Sequence, residues 1–172
     1  MLQNKAQGRL GEARFRQWMD RQKIPFFAIE QERGTLSKGL KKDYDAKRPD
    51  FVILIPKIGL ILVDVKYLRM HDGPNSFWLT RSDIRQYANL EKSLNYKVWF
   101  AFLSNSFPGT WHWISAIDVR DHCKETRKQF TRLSNGRQQF IGTRIVVPIA
   151  NCIRIDEKDS LGTLLVKVIL KK

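Results

Sequence analysis

The sequence has few of the residues that form soft-metal sites and disulfide frameworks. Its 172 residues include two cysteines and three histidines, which are scattered along the chain. Cys123 and Cys152 match no zinc-binding spacing, and two cysteines make no disulfide scaffold. We therefore interpret both as reduced thiols of a cytoplasmic protein. A histidine-based metal site and a Cys/His nucleophile are disfavoured for the same reason.

Long apolar runs are also missing. No run approaches the roughly 20 residues that a membrane-spanning helix needs. The opening residues, MLQNKAQGRLGEARF, contain no apolar segment of the kind found in secretory signals. The sequence thus predicts neither a membrane protein nor a secreted one. Hydrophobic residues still make up 42% of the chain, enough for a packed core, and the length suits one domain over 1–172.

Acidic residues are outnumbered by basic ones. The chain has 17 Asp and Glu against 31 Lys and Arg, which gives a formal net charge of +14. Such a surplus favours a polyanionic partner, because phosphate contacts release counterions. Nucleic acid is the leading candidate. The alternative is a ribosomal-type or merely soluble basic protein.

The apolar periodicity predicts an α/β protein. We expect a first helix at 5–23, a strand at 24–31, a polar basic loop at 32–48, two strands at 51–55 and 60–65, a brief extended segment at 77–79, a helix at 80–95 and a strand at 97–103. This order, αβββαβ, predicts a central mixed sheet flanked by helices. The core would span about 5–104.

The segment 105–172 is predicted to be a β-rich extension. We expect strands at 111–117, 144–150 and 164–170, a basic helix or turn at 118–130, and a hairpin turn at Asn135-Gly136. Pro148 argues against a central position for the strand at 144–150. Seven Lys and Arg against two Asp and Glu lie between residues 120 and 144, together with Phe130 and Phe140. This stretch is either a solvated face or a nucleic-acid contact.

Three charged residues interrupt the apolar stretch RPDFVILIPKIGLILVDVKYL at 48–68. Asp64 and Lys66 are two apart in a strand, so they project to the same side. A tight turn through PKIG would place Asp50 opposite Asp64 or its neighbour, about 5 Å away at Cβ. Two carboxylates that close repel each other unless a positive charge lies between them. A divalent cation meets this need, and oxygen ligands favour Mg²⁺ or Mn²⁺.

Such a cation would polarise a phosphoryl oxygen and orient an attacking water. Lys66 could then lower the pKa of that water or stabilise the charge that develops on the phosphate. The alternative is a buried ion pair of Asp64 with Lys66 or Arg48 that only holds the sheet together. Asp-x-Lys also occurs at Asp45-Ala-Lys47 and at Asp156-Glu-Lys158, but in charged, loop-like surroundings.

Pro49-Asp50 followed by Asp64-Val65-Lys66 on the next strand resembles the signature of the PD-(D/E)XK nuclease superfamily, which has the restriction-endonuclease-like fold. The predicted αβββαβ order matches its core. The resemblance implies a metal-dependent endonuclease that hydrolyses phosphodiester bonds in DNA. Asp50 and Asp64 would hold Mg²⁺, with Mn²⁺ as a substitute, and Lys66 would assist the attacking water.

Within this superfamily, the sequence pattern most resembles that of Holliday junction resolvase-like members, which carry an acidic residue in the first helix. The stretch GRLGEARF offers Glu12 as a third metal ligand, flanked by glycines that permit close approach. The alternative for Glu12 is an exposed residue paired with Arg16. Many members also carry a glutamine on the helix after the lysine strand. Gln86 occupies that place, although a solvent-facing glutamine would look the same.

The basic loop before the metal strand should reach toward the bound substrate. We expect its cations Arg33, Lys38, Lys41 and Lys42 to contact the phosphate backbone. The resemblance makes branched DNA a candidate substrate and leaves RNA open. It also implies a homodimer, because relatives that cut both strands are commonly dimers. A competing hypothesis is a basic nucleic-acid-binding protein that keeps the fold and cuts nothing.

Overall fold

A computed structural model of the chain describes residues 2–30, 37–55, 59–68, 75–132 and 136–160, together with 163, 167 and 168. None of the helices in these ranges is both long and apolar enough to cross a membrane. The helices are α1 (Leu2–Arg21), α2 (Lys38–Lys42), α3 (Arg81–Leu94) and α4 (Ala116–His122). The strands are β1 (Phe26–Ala28), β2 (Phe51–Ile55), β3 (Gly59–Tyr67), β4 (Ser76–Thr80), β5 (Val98–Leu103), β6 (Thr110–Ser115), β7 (Thr126–Arg132), β8 (Gln138–Pro148) and β9 (Ile153–Asp156).

Six strands form a central sheet in the order β1-β2-β3-β5-β6-β9. β3 and β5 run parallel, whereas the other neighbours run antiparallel. The sheet is therefore mixed, as predicted. α3 connects the two parallel strands by way of β4, since a parallel pair needs a crossover rather than a tight turn. The predicted strands at 51–55 and 60–65 are the antiparallel pair β2 and β3.

Helices cover both faces of this sheet, which confirms the predicted α/β class. On one face, α1 buries Phe15, Trp18 and Met19 in a core that also holds Val63 and Trp111. On the other face, side chains of α3 and α4 pack on the sheet, among them Ile84, Tyr87, Ala88 and Val119. The two cores follow from the alternation of β3, because successive strand residues point to opposite faces.

A second sheet, in the order β4-β8-β7, packs beside α3. Phe77, Leu79 and Val147 join it to the same core as α3. The prediction that Pro148 keeps its strand from a central position was wrong, because β8 is the middle strand here. Pro148 is tolerated since it is the last residue of β8, where only β4 lies alongside, opposite Ser76. A missing N–H costs little at such a place.

The remaining differences concern the bounds and type of single elements. α1 begins earlier than predicted and ends at Arg21, near Lys23 in the left-handed region (φ 54°). The basic loop contains the short helix α2. The predicted strand at 111–117 ends at Ser115, whose hydroxyl caps α4 by accepting from the Asp118 amide. The segment 105–172 adds β6 and β9 to the central sheet. The strand predicted at 164–170 lies largely outside the described residues.

Candidate active site

The pairing of β2 with β3 brings the two predicted carboxylates together. Phe51 lies opposite Val63, and the preceding Asp50 donates its backbone N–H to the Val63 carbonyl at 2.9 Å. The Asp50 side chain then reaches across β3, where its Oδ2 accepts from the Val65 amide at 2.8 Å. This places the Asp50 carboxylate beside Asp64, as the hairpin argument predicted.

The two carboxylates are close enough for Asp64 to affect the pKa of Asp50. Burial raises the pKa of Asp50 to about 7, and the Asp64 carboxylate adds to the rise. The Val65 amide and the Lys66 ammonium oppose this rise without cancelling it. Asp50 therefore carries a charge that its surroundings disfavour, which is the state that a bound cation would relieve.

Asp64 is held from two sides. The Tyr87 hydroxyl of α3 lies 2.5 Å from Oδ1 of Asp64 and 2.7 Å from the Arg48 carbonyl, so its single proton can serve one of the two at a time. The Lys66 ammonium lies 2.6 Å from Oδ2 of Asp64. Only 2% of Asp64 is exposed. The carboxylate is thus fixed in place by its neighbours Tyr87 and Lys66.

Lys66 stays protonated in this setting. Burial by itself would lower its pKa, but the carboxylates of Asp64, Asp83 and Asp50 outweigh burial and hold the pKa above its ordinary value. An ammonium in this state donates hydrogen bonds and positive charge but cannot act as a base. The ammonium is therefore suited to stabilising negative charge on a phosphate.

A supporting group around Lys66 was not foreseen from the sequence. Asp83 lies 4.0 Å from the Lys66 ammonium and 2.7 Å from the Lys47 ammonium. Burial alone would raise the pKa of Asp83, but Lys66 and Lys47 outweigh it and hold the pKa low. Lys47 also lies 5.4 Å from the centre of the Tyr87 ring. The sequence places Asp83 and Tyr87 only within the predicted helix at 80–95.

Glu12 approaches the same group from α1. Its pKa is raised by burial first and by Asp64 second, and lowered by Arg16 and Lys66. Gly11 allows the approach, because a Cβ at this position would lie 2.7 Å from the Tyr67 Cβ. The same expectation for Gly8 was wrong, since a Cβ there would meet nothing within 4 Å. The structure therefore brings Glu12 near Asp64, with one glycine rather than two responsible.

The other predicted residues lie farther out or beyond the described ranges. The Gln86 amide donates to Oδ1 of Asp45 at 3.3 Å. Lys38, Lys41 and Lys42 are exposed on α2, whereas Arg33 lies outside the described residues. The roles assigned to these residues stay predictions. The exposure of the three lysines is what a phosphate contact requires.

The fit to a metal is partial. Across the described ranges, no three His, Cys, Asp or Glu side chains stand close enough to hold an ion as they are. However, Oδ2 of Asp64 is buried beside the Lys66 ammonium at 2.6 Å and accepts no hydrogen bond from any other described residue. Asp50 is the second oxygen donor. Two neighbouring carboxylates suit Mg²⁺ or Mn²⁺, and Glu12 could complete the set by a side-chain movement.

Comparisons with known proteins bear on the fold alone. No family model matches the chain, and no curated protein sequence matches it. Among the solved structures that match is Hjc from Archaeoglobus fulgidus, a Holliday junction resolvase from an archaeal hyperthermophile. The TM-score is 0.53 at 9% sequence identity, over 87% of this chain and 95% of that one. The chain therefore shares the fold of a nuclease, at a sequence identity of only 9%.

Proposed function

We propose that the protein is a metal-dependent endonuclease that hydrolyses phosphodiester bonds in DNA. The observation that carries the proposal is the meeting of Asp50, Asp64 and a protonated Lys66 at one end of the β2–β3 pair. Neighbouring carboxylates beside an ammonium are costly to bury and stabilise a fold poorly. They are well suited to holding a cation next to a phosphate.

In this proposal Asp50, Asp64 and Glu12 hold Mg²⁺ or Mn²⁺, which when bound would polarise a phosphoryl oxygen and favour an attacking water. Lys66 donates to the phosphate oxygen on which negative charge develops. Asp83 and Lys47 act on Lys66 as positioning residues, through the contacts at 4.0 and 2.7 Å. Tyr87 fixes the rotamer of Asp64 through its hydroxyl.

Branched DNA is the substrate that we propose first. The support is the shared fold with a Holliday junction resolvase, together with the net charge of +14. Exposed lysines on α2 would contact the phosphates of such a substrate. A homodimer is proposed on the resemblance to enzymes that cut two strands.

The test is cleavage of a four-way junction, a linear duplex and a supercoiled plasmid, each with Mg²⁺ and with EDTA. Lys66→Ala should abolish cutting, and Lys158→Ala is the matched control from the exposed Asp-x-Lys. Cutting that needs Mg²⁺ and Lys66 supports the proposal. Sedimentation of the protein alone and with the junction reports whether two copies assemble.

A second function has one observation in its favour. Lys66 already neutralises Asp64 at 2.6 Å, and the described carboxylates do not form a ready metal group. A protein that binds nucleic acid without cutting it would look like this. Wild-type protein that binds the junction but leaves it intact with Mg²⁺ and with Mn²⁺ would establish this alternative.

A further inference from the structure

Two phenyl rings stand uncovered on the hairpin formed by β7 and β8, here called the hairpin arm (126–132 and 138–145). Phe130 and Phe140 are cross-strand partners, with ring centroids 5.7 Å apart. Their exposed fractions are 50% and 53%. Aromatic rings are usually buried when a fold can bury them. An exposed pair of rings on one side of a hairpin is thus a surface to which another molecule can bind.

The register shows which side of the arm carries the rings. Thr126 lies opposite Ile145 and Lys128 opposite Thr143, and the ladder then shifts so that Phe130 lies opposite Phe140. Residues two apart on a strand share a side, so Phe130 is on the side of Lys128 and Thr126. Ile145 packs against the core on the α3 face of the central sheet. The rings therefore lie on the inner side of the second sheet, further along the hairpin from Ile145.

An apolar cavity opens on this inner side, at the base of the arm. Its volume is about 400 Å³, and Ile84, Ala88, Val119 and Ile145 are among its walls. Three arginines also line it: Arg81 and Arg85, one turn apart on α3, and Arg120 on α4. Arg85 and Arg120 contact Asp45 and Asp121 in exposed ion pairs, which are weak and easily exchanged. Apolar walls beside guanidinium groups suit a planar ring that carries an anionic group.

The charge of the arm points to the same ligand. Residues 126–144 include five Lys and Arg and no Asp or Glu. Arg144 lies opposite Arg127, which is paired with Glu125 at 3.2 Å. The buried Nε of Arg144 has no hydrogen-bond partner among the described residues. Arg144 also lies opposite Thr80, which caps the helix that carries Asp83 and Tyr87. Arg144 neighbours Ile145 on β8, so it faces the opposite side of the sheet from the rings, whereas Lys128 shares their side.

We propose that the hairpin arm and the cavity at its base hold an unpaired strand of nucleic acid. Bases stack against Phe130 and Phe140, and phosphates bind Lys128 and the arginines of the cavity. Stacking on exposed rings beside cations is how proteins hold single strands without reading sequence. The inference deepens the proposed function and rests on it for the cutting step: the substrate would be DNA with an unpaired segment near the cleavage point. The binding step stands independently.

The test is fluorescence anisotropy with three labelled DNAs in EDTA: an oligothymidylate, a duplex of the same length, and a fork with one unpaired arm. Phe130→Ala with Phe140→Ala should weaken binding of the oligothymidylate and the fork by about 5- to 150-fold, the range for the loss of one base stacked on the ring pair. Duplex binding should change by less than about threefold, since phosphate contacts dominate it. Phe27→Ala, which removes another exposed ring on β1, is the matched control.

Two further double variants distinguish the loss of stacking from a loss of folding and from a loss of apolar surface area. Phe130→Tyr with Phe140→Tyr keeps both rings and should retain wild-type affinity. Phe130→Leu with Phe140→Leu keeps apolar area and should behave like the alanine pair. Lys128→Gln should weaken single-strand binding and reduce its salt dependence. Circular dichroism and thermal melting check that each variant is folded.

Unchanged affinity of the alanine pair for the oligothymidylate overturns the proposal. Unchanged affinity with a shift from dimer to monomer in sedimentation assigns the rings to an interface between copies, which also overturns it. Failure of the nuclease proposal is seen elsewhere, as a wild type that binds but never cuts. Lys66→Ala should lose cutting and keep its affinity for the oligothymidylate, so the two proposals fail in different assays.

Discussion

The pattern Asp-x-Lys occurs in the middle of the central sheet and again at its edge, with opposite consequences. In β3, Asp64 is 2% exposed and lies between the neighbouring strands β2 and β5. In β9, the edge strand, the Asp156 side chain is 42% exposed. Asp156 accepts from the Thr110 hydroxyl at 2.7 Å and pairs with Arg154 at 3.2 Å. One motif is buried among charges, whereas the other is part of an ordinary solvated network.

The difference shows that the position in the sheet, and not the motif, creates the candidate site. In the centre, Asp64 meets Asp50 and Lys66 where water cannot screen them, so each charge strongly affects the others. At the edge, solvent screens the same residue types and their interactions are weak. The effects of substitutions at the two places should therefore differ in size and sometimes in sign.

The largest difference is expected for cleavage. Asp64→Asn keeps the size of the side chain but removes the charge that would hold the cation, so Mg²⁺-dependent cutting should fall by about 10³-fold or more. Asp156→Asn should leave the rate within about twofold of the wild-type rate. Single-turnover cleavage of a four-way junction measures both. Equal rates for the two variants would contradict the assignment of the site to β3.

A smaller but clear difference is expected for stability. Lys66→Met leaves Asp64 buried without its cation and should lower the free energy of unfolding by about 3 kcal/mol. Lys158→Met removes an exposed ammonium and should change it by less than about 0.5 kcal/mol. Urea unfolding at pH 7 in EDTA gives both values. The double variant Asp64→Asn with Lys66→Met should recover most of the loss, which shows that the unpaired charge was its cause.

The two regions should also differ in the sign of their pH dependence. The pKa of Asp50 is raised to about 7, so the folded protein holds this proton more tightly than the unfolded chain does. Its contribution to stability is greatest near pH 4 and falls as the pH rises toward about 7. The pKa of Asp156 is lowered by its hydrogen bond from Thr110, so its contribution is present above about pH 4 and lost in acid.

Unfolding in urea from pH 4 to pH 8, without divalent metal, tests this opposition. Asp50→Asn should remove the decline in the free energy of unfolding between pH 4 and pH 7. The size of that decline is about 1.4 kcal/mol for each unit by which the pKa of Asp50 differs between the folded and unfolded chain. Asp156→Asn should leave that decline in place and weaken only the fall in acid. Mg²⁺ should stabilise the wild type more at pH 8 than at pH 5. A wild-type profile that rises through this window would contradict the pKa assigned to Asp50.

The smallest expected effects concern the approach of α1 to β3, which has no counterpart at β9. Gly11→Ala places a methyl group 2.7 Å from the Tyr67 Cβ and should destabilise the fold by about 1–3 kcal/mol. Gly8→Ala meets nothing within 4 Å and should stabilise α1 by about 0.5–1 kcal/mol. Thermal melting measures both. Gly11→Ala should also slow cutting, because it moves Glu12 away from Asp64.

The centre of the site could be predicted from the sequence because its contacts are local. The alternation of β3 places Asp64 and Lys66 on one side, and the length of the β2–β3 connection places Asp50 beside them. Both are consequences of strand geometry over about 20 residues. The mixed sheet followed in the same way from the order of apolar segments.

What the sequence could not predict depends on packing between distant segments. Asp83 and Lys47 meet only because α3 lies against the end of β3, and their separate signals indicate a helix cap and a loop. The second sheet pairs β4 with β8, two strands that lie far apart in the sequence, so no local pattern predicts it. The cavity lined by Arg81 and Ile145 exists only once that sheet is formed.

The burial of the Asp64–Lys66 pair suggests how an inert scaffold could be made. Apolar residues of similar volume often replace a buried ion pair without loss, and sometimes with a gain in melting temperature. A chain with Leu at 64 and Met at 66 would then be more stable than the natural one and would lack the carboxylate and the ammonium on which the proposed cleavage depends. Such a chain could be crystallised with intact DNA.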